Sequence, residues 1–139
     1  MNGTLNGGFL SGFVEASVEK PADGRNGECI VHYSGQYSDC VMKVKLVNGM
    51  RDGEALIVND GVPYIDLTYK NGMMTGTVKR LNKYLITELK GRVVNGDERG
   101  LFEEYDKNEK VVWRGYYRNG RRYSEVVRSE RVKGWYEER

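Results

Sequence analysis

The stretch Trp113-Arg114-Gly115-Tyr116-Tyr117-Arg118-Asn119-Gly120 alternates bulky apolar or glycine positions with polar ones and closes on Asn-Gly. A period of two belongs to a strand, with Trp113, Gly115 and Tyr117 on one face and Arg114, Tyr116 and Arg118 on the other. The Asn-Gly turn permits the positive φ that links one hairpin to the next. Upstream the same frame recurs. Leu89, Gly91 and Val93 precede Asn95-Gly96; Ile65, Leu67 and Tyr69 precede Asn71-Gly72; Met42, Val44 and Leu46 precede Asn48-Gly49. The positions between them carry Lys90 and Arg92, Asp66 and Thr68, and Lys43 and Lys45. The four Asn-Gly pairs are 23, 24 and 24 residues apart, and a fixed period of that length marks a repeat architecture.

A second glycine, Gly53, Gly76 or Gly100, follows each of the first three turns; Ser124 takes that place after Gly120. Imperfect earlier copies stand at Asp23-Gly24 with Gly27 and at Asn2-Gly3 with Gly7. A further strand is expected over each of Cys29–Tyr33, Ala55–Val58, Thr77–Leu81 and Leu101–Tyr105. Turn residues then follow at Ser34-Gly35, Asn59-Asp60-Gly61, Asn82-Lys83 and Asp106-Lys107-Asn108. Helix has little support. Over residues 124–136, Val126, Val127, Val132 and Gly134 favour strand, and Val132, Gly134 and Tyr136 repeat the columns of Trp113, Gly115 and Tyr117. The expected fold is all-β, a single-layer array of antiparallel β-hairpins forming a solenoid of about five to six units. Residues 1–139 make one array: 1–26 a divergent N-terminal copy, 27–123 the regular repeats, 124–139 a capping strand or truncated repeat. Its structural frame is Gly49, Gly53, Gly72, Gly76, Gly91, Gly96, Gly100, Trp113, Gly115, Tyr117 and Gly120. One hairpin is marginal in water, so stability should be largely a nearest-neighbour property.

Composition narrows the function classes. Lys and Arg number 22 against 20 Asp and Glu, a net charge of +2 that by itself argues for no polyanionic partner. The charge is uneven: residues 1–75 carry 6 basic and 9 acidic side chains (−3), residues 76–139 carry 16 and 11 (+5). No run approaches the roughly 18 apolar residues of a membrane span. Met1-Asn2-Gly3-Thr4-Leu5 has neither the basic start nor the apolar stretch of a secretory signal, and a cytoplasmic setting is expected. Two cysteines and one histidine make neither a disulfide scaffold nor a metal site.

The Trp113–Gly120 octapeptide resembles the core of a MORN repeat: an aromatic, glycine two later, an aromatic or apolar residue two beyond, then Asn-Gly. Leu89–Gly96 with Gly100 fits with aliphatics in the aromatic places, and Tyr64–Gly72 with Gly76 fits with Leu67 at the first glycine. The copy ending at Gly49 puts Val44 there. The resemblance runs from about Gly27 to the C-terminus. Arg99–Asn119 is also similar to repeats in the N-terminal region of some SET-domain lysine methyltransferases, and to bacterial antitoxin-like repeat proteins. No counterpart of the SET domain is present, so no catalytic residue carries across. MORN arrays are scaffolds or membrane-proximal adaptors, so the resemblance implies interaction rather than chemistry.

The chemistry-bearing residues read the same way. His32, in Cys29-Ile30-Val31-His32-Tyr33, alternates with apolar neighbours and should face solvent. The glycine frames recur between strands and never form a phosphate-binding strand–loop–helix. Glu103-Glu104 and Glu137-Glu138 are strand neighbours pointing to opposite faces, unsuited to shared acid–base work. A two-residue turn at Ser34-Gly35 would set Cys29 opposite Cys40, close enough to oxidise; in a reducing cytosol ordinary thiols are expected. The notable cluster is Arg114, Tyr116, Arg118, Arg121, Arg122 and Tyr123, where guanidinium groups beside aromatics suit phosphate or carboxylate recognition. The plain alternative is a salt-laced surface balanced by Glu103, Glu104 and Glu125.

Accordingly, no enzyme activity, cofactor or metal is expected. The leading expectation is a non-catalytic interaction scaffold that docks a protein partner, with open strand edges that invite self-association. Alternatives are a regulatory or substrate-positioning region of a larger enzyme such as a SET-domain methyltransferase, and a peripheral adaptor on anionic lipid headgroups. Nucleic acid is not an expected specific ligand. Glycine in the aromatic-x-glycine step leaves room for a ring over the backbone, here one from the next hairpin. Gly115→Val should therefore cost on the order of 1–3 kcal/mol through overpacking. Thermal unfolding checks this, and a melting temperature indistinguishable from that of the parent chain would refute it.

Overall fold

The computed structural model describes residues 10, 12–118, 121–128 and 131–137, with side chains through Tyr117 (Arg118 apart) and at Arg122 and Tyr123. Asn2-Gly3 with Gly7, Asn119-Gly120 and the side chains of Arg118, Arg121 and residues 124–137 lie outside that description. The chain is all-β. Its strands are β1 (Glu15–Glu19), β2 (Gly27–Tyr33), β3 (Cys40–Val47), β4 (Met50–Asn59), β5 (Val62–Lys70), β6 (Met73–Met74), β7 (Gly76–Leu81), β8 (Thr87–Val94), β9 (Asp97–Tyr105), β10 (Val111–Arg118), β11 (Arg121–Arg128) and β12 (Arg131–Glu137). They form one open antiparallel sheet in chain order, with the short β6 pairing β5 beside β7. The segment weighed between helix and strand is strand: Val127 pairs with Val132 and Val126 with Gly134.

Turns with two successive positive φ values recur along the meander, Asp60 and Gly61 at 51° and 83° included. Asn48 and Gly49 sit at φ 52° and 83°, Asn71 and Gly72 at 52° and 85°, Asn95 and Gly96 at 50° and 88°. Two successive positive φ values give the type I′ turn, whose twist matches that of the strands it joins. Each turn is also tied to the unit before it. The Gly49 N–H donates to the Arg25 carbonyl at 2.8 Å, Gly72 to Arg51 at 2.9 Å and Gly96 to Met74 at 2.8 Å. At the opposite end, Asn82 Oδ1 accepts the N–H groups of Tyr84 and Ile86, and Asp106 Oδ1 those of Asn108 and Lys110. The second glycines mark sheet irregularities. Lys43 faces Leu56 whereas Lys45 faces Asp52, and Lys90 faces Glu103 whereas Arg92 faces Arg99. Each slip amounts to two residues, so the alternation of faces survives it.

The expected columns are the core. Met42, Val44, Leu46, Ile65, Leu67, Leu89 and Val93 are all buried, as is Trp113. The N-terminal half of the sheet curls over this inner face. Strands β1 and β4 are three ladder steps apart, roughly 14 Å, yet the Glu15 carboxylate makes a bidentate pair with Arg51 at 2.7 and 2.8 Å. Phe13 fills the same concavity, stacked on Tyr37 at 3.8 Å and edge-on to Tyr33 at 5.3 Å. Tyr37 belongs to a 3-10 turn, Gly35–Tyr37, inside the β2–β3 connection. That longer connection corrects the two-residue turn expected there: Cys29 faces Val44 and Cys40 faces Asn59.

A second cluster of Leu89, Phe102 and Trp113, with Tyr117 against it, continues the core. Phe102 is fully buried between two glycines. It faces Gly115 in the ladder, and a Cβ built on Gly91 would lie 2.3 Å from its ring. A Cβ on Gly115 would meet the Tyr123 carbonyl at 2.2 Å and the Trp113 indole at 2.5 Å. The ring over Gly115 thus comes from its own strand rather than from the next hairpin, because an indole two residues earlier leans along the strand into the space a missing Cβ leaves. Gly91→Ala should cost about 1–3 kcal/mol. In chemical denaturation, Phe102→Leu should recover part of that loss, with a coupling of about 0.5–3 kcal/mol; strictly additive losses would refute the contact.

Candidate functional site: the outer face of the sheet

With one face buried, the other carries the accessible side chains. Cross-strand pairing aligns Glu19, Ile30, Lys43, Leu56, Asp66, Lys79, Lys90, Glu103 and Arg114 into a single row spanning nine strands. Signs mostly alternate or are separated by apolar residues along this row. The exception is Lys79 directly opposite Lys90, and beside it Arg92 faces Arg99. Like charges so placed are unfavourable. Lys79, Lys90 and Arg92 form no ion pair among the described residues. They border a depression of about 430 Å³, lined also by Thr77, Leu101 and Glu103. A second hollow of about 240 Å³ shares Lys79 and Lys90 and reaches Tyr105 and Glu109.

Of the six residues singled out around the last repeat, the ladder register parts Arg122 from the others, and the side chains of Arg118 and Arg121 lie outside the described residues. Arg114 is on the outer face, where its guanidinium bonds the Glu103 carboxylate at 2.8 and 2.9 Å. Tyr105 donates to the same carboxylate at 3.0 Å. The Arg114 bond, then the Tyr105 bond, hold Glu103 below the usual carboxylate range. Arg122 faces Tyr117 in the ladder and belongs with the inner aromatics: its guanidinium lies 3.8 Å from the Trp113 ring centroid and 3.5 Å from Glu104. Arg80 reaches Glu104 and Glu88, each at 3.5 Å. Tyr116 pairs with Tyr123, and Arg118 with Arg121. The adjacent carboxylates Glu103 and Glu104 therefore serve opposite faces, as alternation requires.

Elsewhere, His32 is 40% exposed and paired with Glu19. Cys29 and Cys40 are free and buried, and burial pushes both thiols up, Cys29 and Cys40 alike being poor thiolates there. The described residues hold no group of three His, Cys, Asp or Glu side chains placed to ligate a metal ion. Lys79 is the outer-face residue that sequence reading missed. Its signal was the Asn82–Ile86 turn, which sets Lys79 against Lys90.

The Glu103 contacts carry a pH signature. The carboxylate's folded value lies below its unfolded value of about 4.3, so its stabilising effect is present above that pH and lost as pH falls through the lowered value. Glu103→Gln should cost about 0.5 kcal/mol at neutral pH, and its difference from the parent in urea denaturation should vanish in strong acid. A pH-independent difference would contradict this. In comparisons with known proteins, no family model, curated protein or solved structure matches the chain, so its role is read from its own residues.

Proposed function

We propose that the chain is a MORN-type repeat array working as a non-catalytic protein-interaction scaffold in the cytoplasm. The observation that carries this reading is the outer face at β7–β9. Lys79 stands opposite Lys90 and Arg92 opposite Arg99. Of these, Lys79, Lys90 and Arg92 line a shallow hollow with the exposed Leu101 and form no ion pair among the described residues, while Arg99 reaches Asp97. Like-charged pairs lower the stability of the free sheet, and an acidic partner surface would relieve them. The tip of the β7–β8 turn adds exposed Tyr84 and Leu85, Leu85 held at φ 66°, a conformation uncommon for a large side chain. Exposed aromatic and aliphatic groups of this kind are common anchors in protein interfaces.

The repeat frame supports the same reading. An aromatic or apolar residue, glycine two later, an aromatic or apolar residue two beyond and then Asn-Gly are the features by which the sequence resembles MORN repeats. Capture from cells with quantitative mass spectrometry tests it. The parent chain should retain a protein partner that a Lys79→Glu/Lys90→Glu/Arg92→Glu variant loses by about tenfold, with its circular dichroism unchanged. Retention indifferent to the charge reversal, or no retained protein at all, would contradict the proposal.

A further inference from the structure

We infer that the β7–β9 hollow is a receptor for a phosphoryl group carried on a side chain of a protein partner. The inference rests on the scaffold reading and names what that scaffold recognises. Lys79, Lys90 and Arg92 line one depression together with Thr77, Leu101 and Glu103; Glu103 is engaged by Arg114, and no ion pair among the described residues engages the three cations. A phosphoryl group brings close to two negative charges and three acceptor oxygens, enough to bridge both lysines and accept from the guanidinium or the Thr77 hydroxyl. One carboxylate brings a single charge to the same three cations.

The neighbouring charges decide between a compact anion and an extended one. Asp66 faces Lys79 from one side, Glu103 faces Lys90 from the other, and Glu109 lines the adjoining hollow. Arg99 stands opposite Arg92, and Arg114 holds Glu103. A membrane surface or a nucleic-acid backbone laid across this row would press its phosphates against Asp66 and Glu103. A single phosphorylated side chain needs only Lys79, Lys90 and Arg92, with Glu103 already engaged by Arg114. Leu101, beside the hollow, and Tyr105, in the next one, give the flanking residues of such a segment apolar surface to rest on.

The test is an NMR titration of the full ¹⁵N-labelled chain. The probes are a capped Ala-phosphoserine-Ala peptide, its unphosphorylated counterpart, the Ala-Asp-Ala analogue, and phosphatidylcholine vesicles with and without phosphatidylserine. The phosphopeptide should give saturable shifts at the Lys79, Lys90 and Arg92 amides, with a dissociation constant of roughly 1–10 mM, as expected of one isolated contact. The Asp peptide should bind at least several-fold more weakly. Lys79→Thr and Lys90→Thr, each with the remaining amide spectrum unchanged, should weaken the phosphopeptide without affecting Lys43 and Lys45. Absence of saturable shifts, equal shifts at Lys43 and Lys45, or binding retained by both variants would overturn the inference. So would vesicle binding that depends on phosphatidylserine and on these lysines. Partner capture that survives any of these failures would leave the scaffold reading standing and remove only the phosphoryl group.

Discussion

Among the described residues, the turns at Asn48-Gly49, Asn71-Gly72 and Asn95-Gly96 are each made by two consecutive residues at positive φ, and the remainder of the architecture depends on that constraint. An Asn-Gly pair reverses the chain with the twist the strands require, and its glycine N–H reaches back to a carbonyl of the preceding unit. Turn geometry and inter-unit hydrogen bonding are therefore a single feature repeated at Gly49, Gly72 and Gly96. The second glycine, four residues on, absorbs a slip of two residues. Because two is the side-chain period of a strand, each unit returns to the same inward columns.

Packing on the inner face differs between the two halves. Toward the N-terminus the sheet curls and Phe13 closes the concavity, with the Glu15–Arg51 pair seated beside Tyr69. A buried ion pair of this kind contributes little net stability, but losing one partner leaves a desolvated charge. Toward the C-terminus aromatic rings and glycines replace aliphatic packing, and Glu104 sits between Arg80 and Arg122 while Arg122 covers the Trp113 ring. The inner-face charges Glu15, Arg51, Arg80, Glu104 and Arg122 are thus paired or stacked. Charge on the outer face is left against like charge at Lys79–Lys90 and Arg92–Arg99, which is where binding chemistry has room to act.

Much of the fold was legible because it rests on local signals. The columns Met42-Val44-Leu46, Ile65-Leu67-Tyr69 and Leu89-Gly91-Val93 were readable from alternation, and the Asn-Gly spacing located the turns. The β2–β3 connection was misread because Ser34-Gly35 looks like a two-residue turn, whereas Tyr37 is drawn into the core by Phe13, a contact 24 residues away in sequence (37 − 13). The curl that joins Glu15 to Arg51 leaves no local trace either. For the site, alternation rightly parted Glu103 from Glu104, but Arg122 looked like one of the outer arginines near the last turn until the ladder register set it apart. Arg122 faces Tyr117 and Tyr123 faces Tyr116, so neighbours in sequence serve opposite faces. Like-charge opposition at Lys79 and Lys90 is a property of register, and the register of that pair depends on Asn82 Oδ1 holding an otherwise inconspicuous turn.

Amide hydrogen exchange, resolved by residue, tests the central claim most directly, since it reads the stacked turns without any ligand. The Gly49, Gly72 and Gly96 amides should be strongly protected despite their positions at hairpin tips, because each is bonded to the unit before it. Exchange at these three glycines as fast as in an unstructured turn would contradict the repeat sheet and the outward face built upon it.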